Sequence, residues 1–585
     1  MRMILKYLKP YILRMSAGVF IKFIGTIMDL LIPWVLAHII DDIIPMNDVM
    51  QVLVQAALML LFSLAAFGGN VIANIMAARV ARDITKTIRH DLFKKICYLS
   101  SSQVDAYSVP TLISRMTTDT YNVHHMLGMM QRIGIRAPIL LFGGILMTLS
   151  LDRALTMVLI LTMPFIAAVF YFVSKKGVPL YSQLQIKADV MVRKVREIIG
   201  GIRVIKSLSK EEYEKEQFTS INKDVIQTEK KAGKTMAVAN PTISLLLNIG
   251  LVFIIIVGAY RVNSGLTEVG KIIAFLTYFM IILNAMLSMN KIFTVYSRAI
   301  ASANRIQEIL KTEEDLVVES HEEEAESRLI EESTAEFHID FNHVSFKYNK
   351  RGDEGEDENN IKDIDFHIKR GESLGIIGST GSGKTTIINL LMRFYDVGEG
   401  EIKIEGNNIK TIDKGELSRM FGVAFQNDIL FEDTIYENIR LGRDLTEEDI
   451  NEAATYARAK EFIEERVKAY GEDLSIKGAN LSGGQRQRIL ISRALAGKPE
   501  ILILDDSSSA LDYKTDSLLR KALHTYFDHT TKIVIAQRVS SVMSLDHILV
   551  LEDGKQIGYG SHEELMKSCE VYQEISRMQM GGESA

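Results

Sequence analysis

The chain has 585 residues, 47% of them hydrophobic, with a net charge of −6 and a mean hydropathy of +0.11. That length allows several domains, and the apolar balance is high for a soluble protein of this size. The mild charge gives no reason to expect nucleic acid as a partner, and two cysteines, Cys97 and Cys569, are too few for a disulfide framework.

The chain begins "MRMILKYLKPYILRM", basic residues before an apolar run with no small-residue cleavage site behind them. It reads as the cytoplasmic lead-in to a first membrane helix. Six spans are expected, at approximately 12–38, 51–76, 133–151, 154–174, 237–260 and 271–293. Each approaches the roughly 20 apolar residues that cross ~30 Å of hydrocarbon. The short links after the first, third and fifth spans hold few basic residues. The two long links hold many, among them Arg79, Arg82, Lys86, Lys94, Arg193, Lys194, Arg196 and Arg203. Basic loops stay on the cytoplasmic side, so the long links and both termini are expected there.

Composition then turns acidic. Residues 312–335, containing "TEEDLVVESHEEEAESRLIEES", read as a solvated linker between a membrane domain (1–311) and a second domain (336–585). In the second domain "FHIDFNHVSFKY" and "GEIKIEGNNI" alternate as strands do, while "ESLGIIG" and "ILILDD" are short buried-strand runs. "NKRGDEGEDENN" (349–360) reads as a loop between strands. The fold class expected is a multidomain membrane protein, a six-helix all-α transmembrane domain followed by an α/β P-loop nucleotide-binding domain.

The chemistry sits in the second domain. "GIIGSTGSGKTTIINLL" places Gly378, Ser379, Thr380, Gly381, Ser382 and Gly383 before Lys384, Thr385 and Thr386, between an apolar strand and a helix. This is the phosphate-loop pattern in its confirming context. Backbone N–H groups curl round phosphates at a helix N-terminus, Lys384 reaches the β/γ-phosphates, and Thr385 offers its hydroxyl to Mg²⁺. Asp505 ends the apolar run "ILILDD" and is the natural carboxylate on the Mg²⁺ side.

Upstream of that strand stands "NLSGGQRQRIL", with Ser482, Gly483, Gly484 and Gln485. With phosphate loop, LSGGQ and strand Asp in this order, the chain resembles the ABC transporter superfamily over nearly its whole length. It is most similar there to exporter-type half-transporters, six membrane helices fused to one ATPase domain. The resemblance implies a dimer in which LSGGQ of one subunit contacts ATP held by the other. It implies that Tyr348 stacks on adenine, that Gln426 senses Mg²⁺, and that Asp512 lies in the loop crossing between sites. "DAYSVPTLISRMTTDT" and "SLSKEEYEKEQF" resemble the cytoplasmic loops whose coupling helices touch the ATPase domains, with Val109-Pro110 near a position where glycine is usual.

Three positions depart from the family pattern. Asp506 stands where a Glu usually polarises the attacking water; it is one methylene shorter, and a misplacement of about 1 Å can cost ~10²-fold. Gln537 stands where a histidine usually faces the γ-phosphate; Gln cannot become cationic or relay a proton near neutral pH. Ile476 stands where related exporters often carry Glu. Two departures in one nucleotide site imply that it binds ATP and hydrolyses it poorly. The expectation is a heterodimer in a bacterial cell membrane, as in heterodimeric multidrug exporters, whose second half-transporter supplies the missing groups while this chain's LSGGQ completes the partner's site. ATP and Mg²⁺ are the expected cofactors.

For the cargo, drugs or other lipophilic compounds are expected, with lipids or peptides, uptake on the same fold, or nucleotide sensing without transport as alternatives. Membrane lipids and hydrophobic small molecules are the expected contacts of the membrane half. Asp29 lies within the first span with Lys22 two turns earlier; an ionisable residue at that depth marks a functional site by default. It is a candidate attractor of cationic compounds. Asp41 and Asp42, at the outer end of the same span, are candidate gate residues or plain solvated acids.

Overall fold

The computed structural model describes residues 2–318, 336–348, 360–426, 428–507 and 509–580. Most of the acidic linker and of the 349–360 loop therefore lies outside the described residues. The chain forms two compact units, one of Met1–Lys94 with Ile113–Lys311, the other of Lys95–Leu112 with Thr312–Ala585.

The first unit is helical. Its long helices are α1 (Ile12–His38), α2 (Val49–Cys97), α4 (Thr120–Leu151), α5 (Arg153–Gly200), α7 (Ala239–Asn263) and α8 (Val269–Leu310). All six expected spans fall on them. Among the described residues five helices are long and apolar enough to cross a membrane, and Arg153–Phe165, which opens α5, is a shorter apolar stretch. Helix α2 has 49 residues, roughly 74 Å at 1.5 Å per residue. That is more than twice the hydrocarbon thickness, so its charged second half, from Arg79 on, belongs outside the bilayer. Between α5 and α7, helix α6 (Glu211–Ala237) carries acids in its first turn, where the helix dipole favours them.

Close packing holds the unit together. Leu30, Leu155, Leu159, Ile254, Phe275 and Tyr278 share one buried cluster. The Tyr278 hydroxyl donates to the Leu30 carbonyl at 2.5 Å. A Cβ at Gly144 would stand 2.6 Å from Ile282 Cγ1, so glycine permits α4 and α8 to meet. Asp152 caps α5 through the Ala154 and Leu155 amides and takes Arg261 at 3.0 Å.

The second unit is built on one sheet, with order β5-β4-β1-β2-β10-β9-β3-β8-β7-β6. Strands β1 (Ile339–Phe346), β2 (Ile361–Ile368), β4 (Glu399–Ile404) and β5 (Asn407–Asn408) form an antiparallel arm. Strands β9 (His547–Glu552), β3 (Ser373–Gly378), β8 (Thr531–Ile535), β7 (Ile501–Asp505) and β6 (Phe421–Ala424) run parallel, and β10 (Lys555–Gly560) pairs antiparallel with β9. The parallel strands β3 and β7 are apolar on both faces, which is why "SLGII" and "ILIL" lack alternation.

Residues Lys95–Leu112 pack into this second unit. Their helix α3 (Ser101–Tyr107) begins with a capping box of Ser100 and Gln103. Ser100 Oγ donates to Asp315 at 2.7 Å, Tyr395 donates to Asp105 at 2.5 Å, and Tyr107 bonds Thr312 at 2.8 Å. The turn that ends α3 is left-handed at Ser108 (φ 64), and Pro110 falls in the first turn of the next helix, Val109–Ser114. The second resembling loop, 207–218, starts at the end of a short helix, Ile202–Ser207, turns over 208–210 and enters α6 at Glu211.

Candidate functional site

The phosphate loop leaves β3 and enters helix α9 (Lys384–Leu391). Gly381 and Gly383 sit at φ 89 and φ 99, a region costly for any residue with a Cβ. A Cβ at Gly378 would fall 2.2 Å from the Leu551 carbonyl. Ser382 is 1% exposed, and among the described residues its hydroxyl has no hydrogen-bond partner. The Lys384 ammonium donates to the carbonyls of Gly378 at 2.9 Å and Ser379 at 2.7 Å, holding the loop closed. Burial lowers its pKa, with Asp505 and Asp506 acting against that.

A cavity of about 240 Å³ opens at this loop. Thr380, Lys384, Thr385, Gln426, Asp505, Asp506 and Gln537 line it, so the predicted phosphate, metal and water-activating positions converge. Asp505 is 4% exposed. Burial raises its pKa, and the Asp506 charge adds to that; Lys384 and a hydrogen bond from Thr385 oppose both. A buried carboxylate held near a hydroxyl and an amide oxygen is a hard oxygen donor set that fits Mg²⁺.

Asp506 follows directly, at a left-handed φ of 47. Its backbone N–H donates to the Ile535 carbonyl at 3.0 Å, tying the strand end to β8. One carboxylate oxygen, Oδ2, accepts from Gln426 Nε2 at 3.2 Å and from Gln537 Nε2 at 3.3 Å. The two departures from the family pattern therefore touch each other. Gln537 is itself positioned by Gln579, which donates to its carbonyl at 2.8 Å and accepts from the Val539 amide at 2.7 Å.

Tyr348 closes the other side of the loop. Its ring packs edge-on against Phe346 and Tyr395, and its hydroxyl donates to Thr386 at 3.3 Å. Asn360 accepts from the Tyr348 amide at 2.8 Å and also lines the cavity. Neither Asn360 nor Gln579 carries a sequence signal; only the fold brings them here.

The LSGGQ residues lie elsewhere. Ser482 caps helix α10 (Gly483–Leu495) in a reciprocal box with Gln485, and Ser482 and Gly483 are exposed. Gly484 packs against the Ala510 carbonyl, 3.0 Å from where a Cβ would be. None of the four lines the phosphate cavity of its own chain. Asp512 caps helix α11 (Tyr513–Tyr526), accepting from the Thr515 amide at 3.0 Å and its hydroxyl at 2.7 Å. These bonds hold its carboxyl below the usual range. A larger cavity of about 560 Å³, walled by Leu504, Leu519, Lys532 and Val534, contains none of the predicted site residues.

In the first unit Asp29 is already paired, accepting from Arg136 at 3.0 Å and Asn70 at 3.3 Å. Lys22 does not bond it, but donates to Asn74 at 3.0 Å. Asp41 caps α8, accepting from the Gly270 amide at 2.5 Å and the Lys271 amide at 2.9 Å. Asp42 pairs with His38 at 2.6 Å.

Known proteins resemble this chain over both of its units. Residues 15–286 match the family described as the ABC transporter transmembrane region, and 361–509 the ABC transporter family. The chain is 33% identical to the uncharacterized ABC transporter ATP-binding protein YfiB of Bacillus subtilis, covering 100% of both chains. It is 30% identical to the uncharacterized ABC transporter ATP-binding protein MT1311 of Mycobacterium tuberculosis, covering 98% of this chain and 97% of the other. Among solved structures, a bacterial Atm1-family ABC exporter with ATP bound superposes with a TM-score of 0.80 at 22% identity, covering 98% and 99% of the two chains.

Proposed function

The chain belongs to the ABC transporter family as an exporter-type half-transporter, and from that premise we propose that it is the hydrolytically weak subunit of a heterodimeric exporter. The multi-pass membrane domain spans 1–311, the linker 312–335 and the ATPase domain 336–585. The membrane is the bacterial cell membrane, with the N-terminus and the ATPase domain in the cytoplasm. The cargo is a lipophilic compound, drugs included, moved outward.

The contact of Asp506 with Gln537 and Gln426 carries the reading. A general base must reach the attacking water. Asp506 is short of that position by about one methylene, and it is held by two neutral amides in place of a group that can change charge. Lys384, Thr385 and Asp505 remain in place for binding, and Tyr348 for the adenine. Thr385, Gln426 and Asp505 would hold magnesium, which would offset the charge of the phosphates. The site is suited to hold ATP and poorly suited to cleave it.

The exposed LSGGQ serves the other site. Ser482 and the first N–H groups of α10 form an anion-binding helix end that does not line this chain's own phosphate cavity. Val204 (61% exposed) and Leu208 (62% exposed), in and just after the short helix Ile202–Ser207, offer apolar surface for the partner's ATPase domain. Measured ATP turnover with and without the co-expressed partner tests the proposal. Low turnover alone and high turnover together is expected; equal turnover per site contradicts it.

A further inference from the structure

The membrane helices contain a charge cluster that is not balanced. Helix α1 contributes Lys22 and Asp29, two turns apart on one face; α2 contributes Asn70 and Asn74; α4 contributes Arg132 and Arg136. Arg136 Nη2 donates to Asp29 at 3.0 Å and Asn70 to the same oxygen at 3.3 Å. Arg132 Nε donates to the Gly128 carbonyl of its own helix at 3.0 Å. Lys22, only 2% exposed, has the neutral Asn74 amide as its partner at 3.0 Å. The charges acting on Lys22 at short range are Arg136, Asp29 and Arg132. Among the described residues of the cluster, three cations thus share one carboxylate.

An uncompensated charge at membrane depth is costly, and such residues normally pair or mark a pathway. Asp29 is already paired to Arg136, so the cluster's unmet need is for negative charge. It retains an open side, since the Arg136 side chain is 45% exposed and Asp29 25%. Between the same helices α1 and α4 lies an apolar groove of about 680 Å³ walled by Val19, Phe20, Phe23, Ile135 and Ile139.

We propose that this cluster receives the oxyanion head of the transported compound, a carboxylate, sulfonate or phosphate, and that the groove between α1 and α4 takes its apolar body. The cargo is then an acidic amphipath, opposite in charge to what Asp29 alone suggests. This specifies the substrate class of the exporter proposed above and rests on that reading for transport. It does not rest on it for binding.

Two probes with one fluorophore and one twelve-carbon chain test it, one ending in carboxylate and the other in trimethylammonium. Binding is read by fluorescence anisotropy with the full chain in lipid nanodiscs, where uptake by lipid cancels between wild type and variants. Wild type should favour the carboxylate probe by about tenfold, the scale of one unit charge near a protein surface. Lys22→Gln should lose about that factor and Lys22→Arg keep it. Asp29→Asn removes the one acid and should tighten carboxylate binding, which covers the case of a misfolded Lys22→Gln. Equal or tighter binding of the ammonium probe, no binding of either, or no response to Lys22→Gln and Asp29→Asn overturns the inference. ATP-driven movement in vesicles of chain and partner separates the two readings. Carboxylate binding without movement keeps the inference and contradicts export; movement of the ammonium probe alone does the reverse.

Discussion

Gln537 donates its side-chain amide to the Asp506 carboxylate at 3.3 Å, on the oxygen that also accepts from Gln426 at 3.2 Å. A carboxylate bonded in this way is fixed in place by neutral donors. On the reading proposed above it is one methylene short of water at the γ-phosphate, and its two side-chain partners are neutral amides. Restoring both groups should restore chemistry. Asp506→Glu combined with Gln537→His should raise the ATP turnover of the chain by about 10²-fold, the scale of a 1 Å misplacement. Steady-state phosphate release checks this, and neither single change should recover the full effect because the two side chains touch.

Binding should survive where hydrolysis fails. Lys384 bonds two loop carbonyls and is free to exchange them for phosphate oxygens. Charge-assisted bonds of this kind are worth about 1.5–3 kcal/mol, so Lys384→Ala should weaken ATP binding by at least about tenfold. Fluorescent nucleotide titration reads it directly. Asp506→Asn should leave the same titration nearly unchanged.

Ser482 should act on the other subunit's nucleotide. Ser482→Ala in this chain should cut turnover of the assembled pair by about tenfold or more while nucleotide binding to the chain alone stays as it was. Because Ser482 also caps α10, a loss of about 1 kcal/mol in stability accompanies it. A melting curve separates that loss from the effect on turnover.

His338 gives the ATPase unit a pH limit. Its side chain is 1% exposed, its Nδ1 is bonded to Thr531, and Nε2 stands 3.8 Å from a Glu405 carboxylate oxygen with no hydrogen-bond partner among the described residues. Burial lowers its pKa and Arg370 lowers it further, while Glu405 and Glu500, which both pair with Arg370, act the other way. The unfolded chain protonates near 6.5 and the fold resists the proton. The stabilisation is thus complete above that pH and lost as pH falls below it. Heat inactivation of nucleotide binding should steepen as pH falls below about 6.5, and His338→Asn should flatten that dependence.

Much of this was legible because the chemistry is local in sequence. The phosphate loop and the Asp505 strand each sit within a dozen residues, and six apolar spans landed on six long helices. Local pattern could not show that Gln426, Asp506 and Gln537 meet at one oxygen, since β6, β7 and β8 bring them together from far apart. It could not find Asn360 or Gln579 for the same reason. In the membrane half, Asp29 stands out in sequence as a lone acid with Lys22 as the nearest cation. Its actual partner, Arg136, is 107 residues away on α4. Helix packing, not spacing, decides which charges pair. Asp41 likewise reads as either a gate residue or a solvated acid until the Gly270 and Lys271 amides of α8 are placed on it.

The most direct test of the central claim is the Mg²⁺-dependent ATPase rate of the purified chain, measured alone and again with its co-expressed partner. The account predicts near-background phosphate release from the chain alone, with ATP still bound, and strong turnover only in the assembled pair. Robust turnover by the lone chain, unchanged by Asp506→Asn, would contradict it.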